Sequence, residues 1–330
     1  MKPRILTSTT NMSKDIWLEH RKAGIGGSEI AAIIGLNKYT SPIELWYEKT
    51  GAMRVNDGRE PYVVNGQEWP SEAAYWGTVD EESNANHFAA VTGLKVQRRN
   101  CIYQHPKYPW MLANIDRLII DPVNGNGILE AKNASSYLAK EWEGENIPFA
   151  YQCQVQWYMA VIDLQYAYVA TRIGGNKFNY IRVERDNAVI AALIEAGSNF
   201  WDCVVTNTPP AVDGTEATSQ ALSAIYPEGI DDDTPVELEL PVSDIEHYFE
   251  LKGEAKELDE KITFIENQLK AELGAHQRGT VGGTRVNWTN TTTTRLDTKE
   301  VKAKEPELFA KYAKVSTSRR FTITPEKGGK

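Results

Sequence analysis

The chain has 330 residues, 41% hydrophobic and 25% charged, the balance of one large or two smaller globular domains with enough apolar residues for a sizeable core. Its formal net charge of −9 is opposite in sign to what phosphate binding needs, so any nucleic-acid site must be a local basic patch. The sequence lacks a run of the roughly 18–20 apolar residues that a membrane span needs and lacks a signal peptide's apolar core, so no membrane and a cytoplasmic location are expected. Cys101, Cys153 and Cys203 lie about fifty residues apart without a C-x-x-C pair, which suits buried thiols and argues against a zinc or iron–sulfur centre.

Along the chain, Gly24, Gly26 and Gly27 permit a tight turn. Ser28 reads as an N-cap, and the apolar run 30–34 reads as a buried helix. A glycine-rich turn feeding a helix start presents free N–H groups and a positive dipole end, a natural phosphate site, to which Arg21 adds a bidentate donor. Residues 41–51 predict a short helix, capped by Ser41, with Pro42 at its first position and Gly51 as its stop. The polar stretch 53–70 reads as a loop, and 72–92 as a helix closing at Gly93, with Asp80, Glu81 and Glu82 near its middle. Residues 94–103 alternate like a strand and carry Lys95, Arg98 and Arg99. His105-Pro106 follows as a turn, its histidine expected in a structural hydrogen bond, with a phosphate contact as the alternative.

Residues 112–120 and 128–132 then predict the two arms of a hairpin joined by the turn-rich 121–127. Strand residues two apart share a face, so Glu130 and Lys132 point together and Ala131 points away. With Asp116 across the hairpin, two carboxylates and an ammonium surround one point. Such a set suits a hard divalent cation beside a phosphate; a solvated Glu/Lys pair is the plainer alternative. Asn133 to Ser136 add polar groups that could face a phosphate. The run 151–161 predicts a helix with Val155, Met159 and Ile162 toward the core, and places Gln154 within a turn of Tyr151 and Tyr158. Surface glutamines on an amphipathic helix are the other reading of Gln154 and Gln156.

Residues 165–173 and 179–183 predict a second hairpin around Gly174-Gly175, and 187–205 a helix ending before Pro209-Pro210. The stretch 206–244 is rich in Pro, Ser and Asp, including Asp231-Asp232-Asp233, and reads as a linker. Tyr248, Leu251, Ala255, Leu258, Ile262, Ile265 and Leu269 recur at steps of three and four, a heptad-like helical stripe read as docking on its own domain. A hairpin over 279–288, a threonine run and a basic, aromatic tail carrying Lys299, Lys302, Lys311, Arg319 and Arg320 complete the chain; the tail is a candidate DNA contact.

Asp116, a hairpin and then Glu130-Ala131-Lys132 resemble the core of the PD-(D/E)xK nucleases. Gly24-Ile25-Gly26-Gly27-Ser28-Glu29-Ile30-Ala31 is similar to the Gly-x-Gly-Gly-Ser-Asp-Ile-Ala signature of one branch, the phage-type exonucleases of the YqaJ and lambda-exonuclease group, with Glu29 where Asp is usual. The resemblance continues through Ser41-Pro42…Leu45-Trp46…Lys49-Thr50-Gly51, Trp76-Gly77…Glu81, His105-Pro106 and Tyr151…Gln154-Val155-Gln156, and spans about 17–210. It implies an α/β fold: a PD-(D/E)xK, restriction-endonuclease-like core over 1–210 with a mixed central β-sheet flanked by helices, a linker or extended arm over 211–244, and a helical and β-hairpin extension over 245–330.

The resemblance also implies a site. Asp116, Glu130 and the backbone carbonyl of Ala131 would bind Mg²⁺ or Mn²⁺, as two ions, with Glu81 as a further acid and the choice among Asp80, Glu81 and Glu82 open. Lys132 would orient the attacking water with Gln154 in support, and Arg21 and Ser28 would reach a DNA 5′-phosphate. The implied activity is 5′-to-3′ exonucleolytic digestion of double-stranded DNA ends, leaving 3′ strands for recombination with a phage single-strand annealing protein. The implied assembly is a homo-oligomer, a trimeric ring, in the cytoplasm of a bacterial host as a phage or prophage protein. An endonuclease using the same core and a non-catalytic DNA-binding module are the alternatives.

Overall fold

The computed structural model describes residues 2–51, 61–230, 235–314 and 319–325. It forms two compact units that divide after Pro227. Residues 53–60 of the expected loop and the three consecutive aspartates from Asp231 lie outside the described residues.

The first unit runs β1 (Arg4–Ser8), α1 (Lys14–Lys22), α2 (Gly27–Ile33), α3 (Pro42–Thr50), β2 (Tyr62–Val64), β3 (Gln67–Trp69) and α4 (Glu72–Thr92). Then follow β4 (Lys95–Arg98), β5 (Cys101–Gln104), β6 (Leu112–Ala113), β7 (Arg117–Ile120), β8 (Gly127–Ala134) and a 3-10 turn (Ser136–Trp142). The unit closes with α5 (Phe149–Ile162), β9 (Tyr166–Ile173), β10 (Lys177–Glu184), α6 (Asn187–Val205) and α7 (Glu216–Ile225). Its centre is a mixed five-stranded sheet of order β10-β9-β8-β7-β4, in which only β8 and β9 are parallel. That parallel step needs a crossover, which α5 supplies. The expected mixed α/β core flanked by helices is what the chain forms.

Packing explains several departures from the sequence reading. Residues 94–103 make two strands rather than one: β4 joins the central sheet, whereas β5 joins β1 and β6 in a small separate sheet. The 112–120 arm divides in the same way into β6 and β7, leaving Asn114, Ile115 and Asp116 between ladders. The stripe expected on α5 is instead burial on every side, from Cys153 to Ile162, because α5 lies between the sheet and helices α2 and α6. The described end of the expected loop, 61–70, is the hairpin β2–β3, turned by Asn65 and Gly66 at φ 51° and 79°, the Asn-Gly pairing of a tight hairpin turn. Part of the expected linker is α7, which buries Ala217, Thr218, Ala221 and Ile225 beside Ile43 of α3. Helix α6 is long and apolar enough to cross a membrane by composition, yet it packs Ile190, Leu193 and Phe200 into the main core.

The second unit holds the 32-residue helix α8 (Val242–Leu273), the hairpin β11 (Arg278–Val281) and β12 (Thr284–Asn287), and the short helices α9 (Thr298–Lys304) and α10 (Pro306–Tyr312). Gly279 lies close against the Leu273 side chain, which seats the hairpin on the end of α8.

Gly127 opens β8 with no room for a side chain: a Cβ there would run into the ring of Tyr166, whose hydroxyl donates to the Gly125 carbonyl at 2.9 Å. Gly127→Ala is expected to cost about 1–3 kcal/mol of stability by overpacking. Gly77→Ala in α4, with nothing within 4 Å of the added methyl, should gain about 0.5–1 kcal/mol, both changes being read by urea titration.

Candidate active site

The site begins where a β-ladder stops. Arg117 pairs with Leu129, and beyond Leu129 that edge of β8 has no β7 partner. The Ala131 N–H on this edge donates instead to Asp116 Oδ2 at 2.8 Å, which fixes the carboxylate beside the strand. The N–H and C=O of one strand residue lie on the same edge, so the Ala131 carbonyl faces the Asp116 side as well.

On the face of β8, Lys132 Nζ donates to Glu130 Oε1 at 2.6 Å, as the two-residue spacing predicts. Gln154 Nε2 donates to the same oxygen at 2.7 Å and to the Tyr158 hydroxyl at 3.0 Å. The Lys132 ammonium lies 4.9 Å from the centre of the Tyr151 ring. Thus one face of α5 presents Tyr151, Gln154 and Tyr158 to one face of β8, whereas the buried Gln156 serves the fold, spanning the Glu184 carbonyl and the Asp186 N–H.

Burial raises the Asp116 carboxyl well above its usual range, and the charges of Glu130 and Glu81 push it further. Burial raises Glu130 too, against the pull of Lys132. Burial works against the Lys132 ammonium, but Glu130 and Asp116 outweigh it and its pKa is raised. Glu130 Oε2 is buried with no hydrogen-bond partner. Two neighbouring carboxylates that resist ionisation and an orphaned carboxylate oxygen describe a site short of positive charge, and their oxygens fit a hard divalent cation. Among the described residues no three His, Cys, Asp or Glu side chains converge as a metal cluster. The donors available are therefore two carboxylates and a carbonyl, a set Mg²⁺ completes with water and phosphate.

Glu81 is held in another contact. Its carboxylate pairs with the buried guanidinium of Arg117 and, at 3.3 Å, with Arg98, while Glu82 pairs with Arg117 at 2.8 Å. Of the three acids left open by the sequence, Glu81 is the one whose charge reaches both Asp116 and Glu130, whereas Asp80 accepts from Asn133 at 2.9 Å. Asn133 also bonds Asn84 at 2.9 Å, and Ser135 caps the following 3-10 turn, so both are engaged within the protein rather than turned out toward a phosphate. Sequence reasoning passed over Arg117; an arginine opening the otherwise apolar strand Arg117-Leu118-Ile119-Ile120 was the available signal, because a buried guanidinium requires carboxylate partners.

At the start of α2 the N-cap is Gly26, not Ser28. Glu29 Oε2 accepts the Gly26 N–H at 2.7 Å and so does the capping from the third helical position. Ser28 is left to accept from Arg21 Nη2 at 3.2 Å. Arg21 also pairs with Glu29 at 2.5 Å and lies over the Trp17 ring, and the buried Lys49 pairs with Glu29 at 2.8 Å. Glu29 thus holds two cations, while Glu48 lies near enough to act on Lys49, whose pKa burial lowers. Tyr158 joins this cluster to the acidic site, since its ring lies against Gly27 while its hydroxyl meets Gln154. His105 has the expected structural role: Nδ1 accepts the N–H groups of Lys107 and Tyr108 at 3.2 and 3.0 Å.

Residues 16–165 match the YqaJ-like viral recombinase domain. Across its length the chain is 38% identical over 323 residues, 97% of each protein, to the uncharacterized protein YqaJ of Bacillus subtilis (strain 168). The chain belongs to the YqaJ family. Among solved structures it is similar to an alkaline exonuclease (LHK-Exo) from Laribacter hongkongensis, at 19% identity and a TM-score of 0.46 over 59% of this chain and 94% of that one. It is also similar to a phage-related exonuclease from Haemophilus somnus 129PT, at 16% identity and a TM-score of 0.37 over 56% of this chain and 96% of that one. Within the YqaJ-like match lie Arg21, Ser28, Glu81, Asp116, Glu130, Lys132 and Gln154.

The Arg21–Glu29–Lys49 cluster yields a pH prediction. Burial raises the Glu29 carboxyl, but Arg21 and Lys49 more than reverse it, and the net shift is downward from 4.5. The stability Glu29 contributes is therefore present above pH 4.5 and lost as pH falls through the lower folded value. Glu29→Gln should cost about 3 kcal/mol at pH 7 by stranding Lys49, and the gap between variant and wild type in denaturant titrations should narrow below that pH.

Proposed function

We propose that this protein is a divalent-metal-dependent nuclease that digests linear double-stranded DNA from its ends, 5′ to 3′, leaving 3′ single strands for phage-type recombination by annealing. The observation that carries the reading is the convergence of Asp116, Glu130, the Ala131 carbonyl edge and Lys132 on one point, with Glu130 Oε2 lacking any partner. Asp116, Glu130 and the Ala131 carbonyl would hold Mg²⁺ or Mn²⁺, one ion or two; Glu81 joins them if it exchanges its arginine contacts for the cation. The cation supplies Lewis-acid stabilisation of the charge that develops on the phosphodiester.

The chain's own residues do the rest. Lys132, its pKa raised, remains an ammonium, so it acts as a donor that orients the attacking water and stabilises negative charge on the phosphate rather than as a base. Gln154 fixes Glu130 and is itself set by Tyr158. Hydrogen bonding from Ala131 holds Asp116 in place before substrate arrives. The Arg21 guanidinium, with the Ser28 hydroxyl it bonds, suits a terminal 5′-phosphate and supports an end-directed activity. The working state would be an oligomer, a ring around DNA, in the host cytoplasm alongside a single-strand annealing protein.

The test is digestion of linear duplex, with and without a 5′-phosphate, beside a covalently closed circle. Wild type with Mg²⁺ should release nucleotides from phosphorylated 5′ ends and spare the circle, and Lys132→Ala should lose about a hundredfold or more in rate. Arg21→Ala should lose the preference for phosphorylated ends while the active site persists. Cleavage of the circle would replace this reading with an endonuclease, and metal-independent binding without cleavage would replace it with a DNA-binding module.

A further inference from the structure

Among its described residues, the second unit leaves an apolar stripe on helix α8 uncovered. Leu251, Leu258, Ile262 and Ile265 are 49%, 59%, 48% and 57% exposed, and the helix buries only Leu273. In heptad terms Tyr248, Ala255, Ile262 and Leu269 take the a positions and Leu251, Leu258 and Ile265 the d positions. The flanking e positions are Lys252, Asp259 and Glu266, and the g positions include Glu254 and Lys261. Intrahelical ion pairs join Lys256 to Glu260 and Lys270 to Glu266, yet among the described residues no ion pair engages Glu254, Asp259 or Lys261.

We propose that α8 pairs antiparallel with α8 of a second copy of this chain, centred between Lys256 and Glu257. The flanking charges select both direction and register. In an antiparallel pair, e positions face e and g positions face g. At this register Lys252 meets the partner copy's Asp259 and Glu254 meets its Lys261; two-fold symmetry repeats both contacts and sets no like charges together. Leu251 then packs with Ile262, Ala255 with Leu258 and Tyr248 with Ile265. Sliding one heptad either way sets Lys261 against Lys261, or Lys252 against Lys252. A parallel pair, in which g faces the following e, sets Glu254 against Asp259. The favoured register also overlaps the helices almost end to end, since residue 242 lies opposite 271. An isologous contact of this kind is closed and finite.

The pairing is read on the full-length protein by light scattering across a concentration series. Wild type should show an even number of copies, a dimer or a doubled ring. Asp259→Lys should raise the concentration at which the mass halves by about tenfold or more, as attraction becomes repulsion at two contacts. Lys252→Glu/Lys261→Glu and Glu254→Lys/Asp259→Lys should each dissociate alone and associate when mixed, because every flanking pair is then opposite in sign; this rescue also excludes misfolding. An odd mass or a monomer at all concentrations would overturn the proposal. So would indifference to every charge swap, or tighter association of Asp259→Lys, the result a parallel pair gives. DNA digestion does not enter this readout, so its outcome is separate from that of the nuclease reading.

Discussion

The first unit is organised around the loss of one strand's partner. While β7 runs beside β8, their backbone groups satisfy each other; past Leu129 they cannot, and the exposed Ala131 N–H takes the Asp116 carboxylate instead. A break in the ladder thereby turns a buried edge into a place where a side-chain oxygen and a main-chain carbonyl face the same space. The rest of the unit keeps that edge in position. Glycine at 127 lets β8 pass beneath Tyr166, β9 holds the strand's other edge in parallel register, and α5 covers its face.

Around that edge the structure accumulates negative charge in a poorly solvated space. Burial, with Glu130 and Glu81, raises the cost of ionising Asp116, burial and Glu81 raise that of Glu130, and Lys132 is the cation that answers both. Gln154 compensates one oxygen of Glu130 and leaves the second bare. Charge imbalance of this kind costs stability in the isolated chain. Arg117 serves the opposite purpose next door, where it neutralises Glu81 and Glu82 and donates to the Asp116 carbonyl. Glu81 is thus paired with arginines and yet its charge is still felt at Asp116 and Glu130.

The cluster at the start of α2 balances differently: one carboxylate, Glu29, holds two cations and the first turn of a helix. Tyr158 lies between the two clusters and contacts both. Helix α5 thereby contacts both the acidic site and the Arg21–Glu29–Lys49 cluster. The second unit differs in kind. Its long helix has a consistent apolar stripe and consistent flanking charges, but few of the unit's described residues meet them.

Local rules were enough for the features whose cause is local. Period two in a strand put Glu130 and Lys132 on one face, and helical spacing put Tyr151, Gln154 and Tyr158 on another. Ser71 and Gly93 bounded α4 because capping chemistry acts within a turn. The Asn65-Gly66 hairpin was equally local and could have been read. What the sequence could not determine was the choice of partner. Whether 94–103 and 112–120 stay single strands depends on which distant edges compete for their backbone groups. Whether Glu29 caps a helix or binds an arginine, and whether Glu81 faces a metal or Arg117, depends on cations 8, 20 and 36 residues away in the chain. Periodicity fixes the direction in which a side chain leaves its element; only the packed fold decides what lies there to meet it.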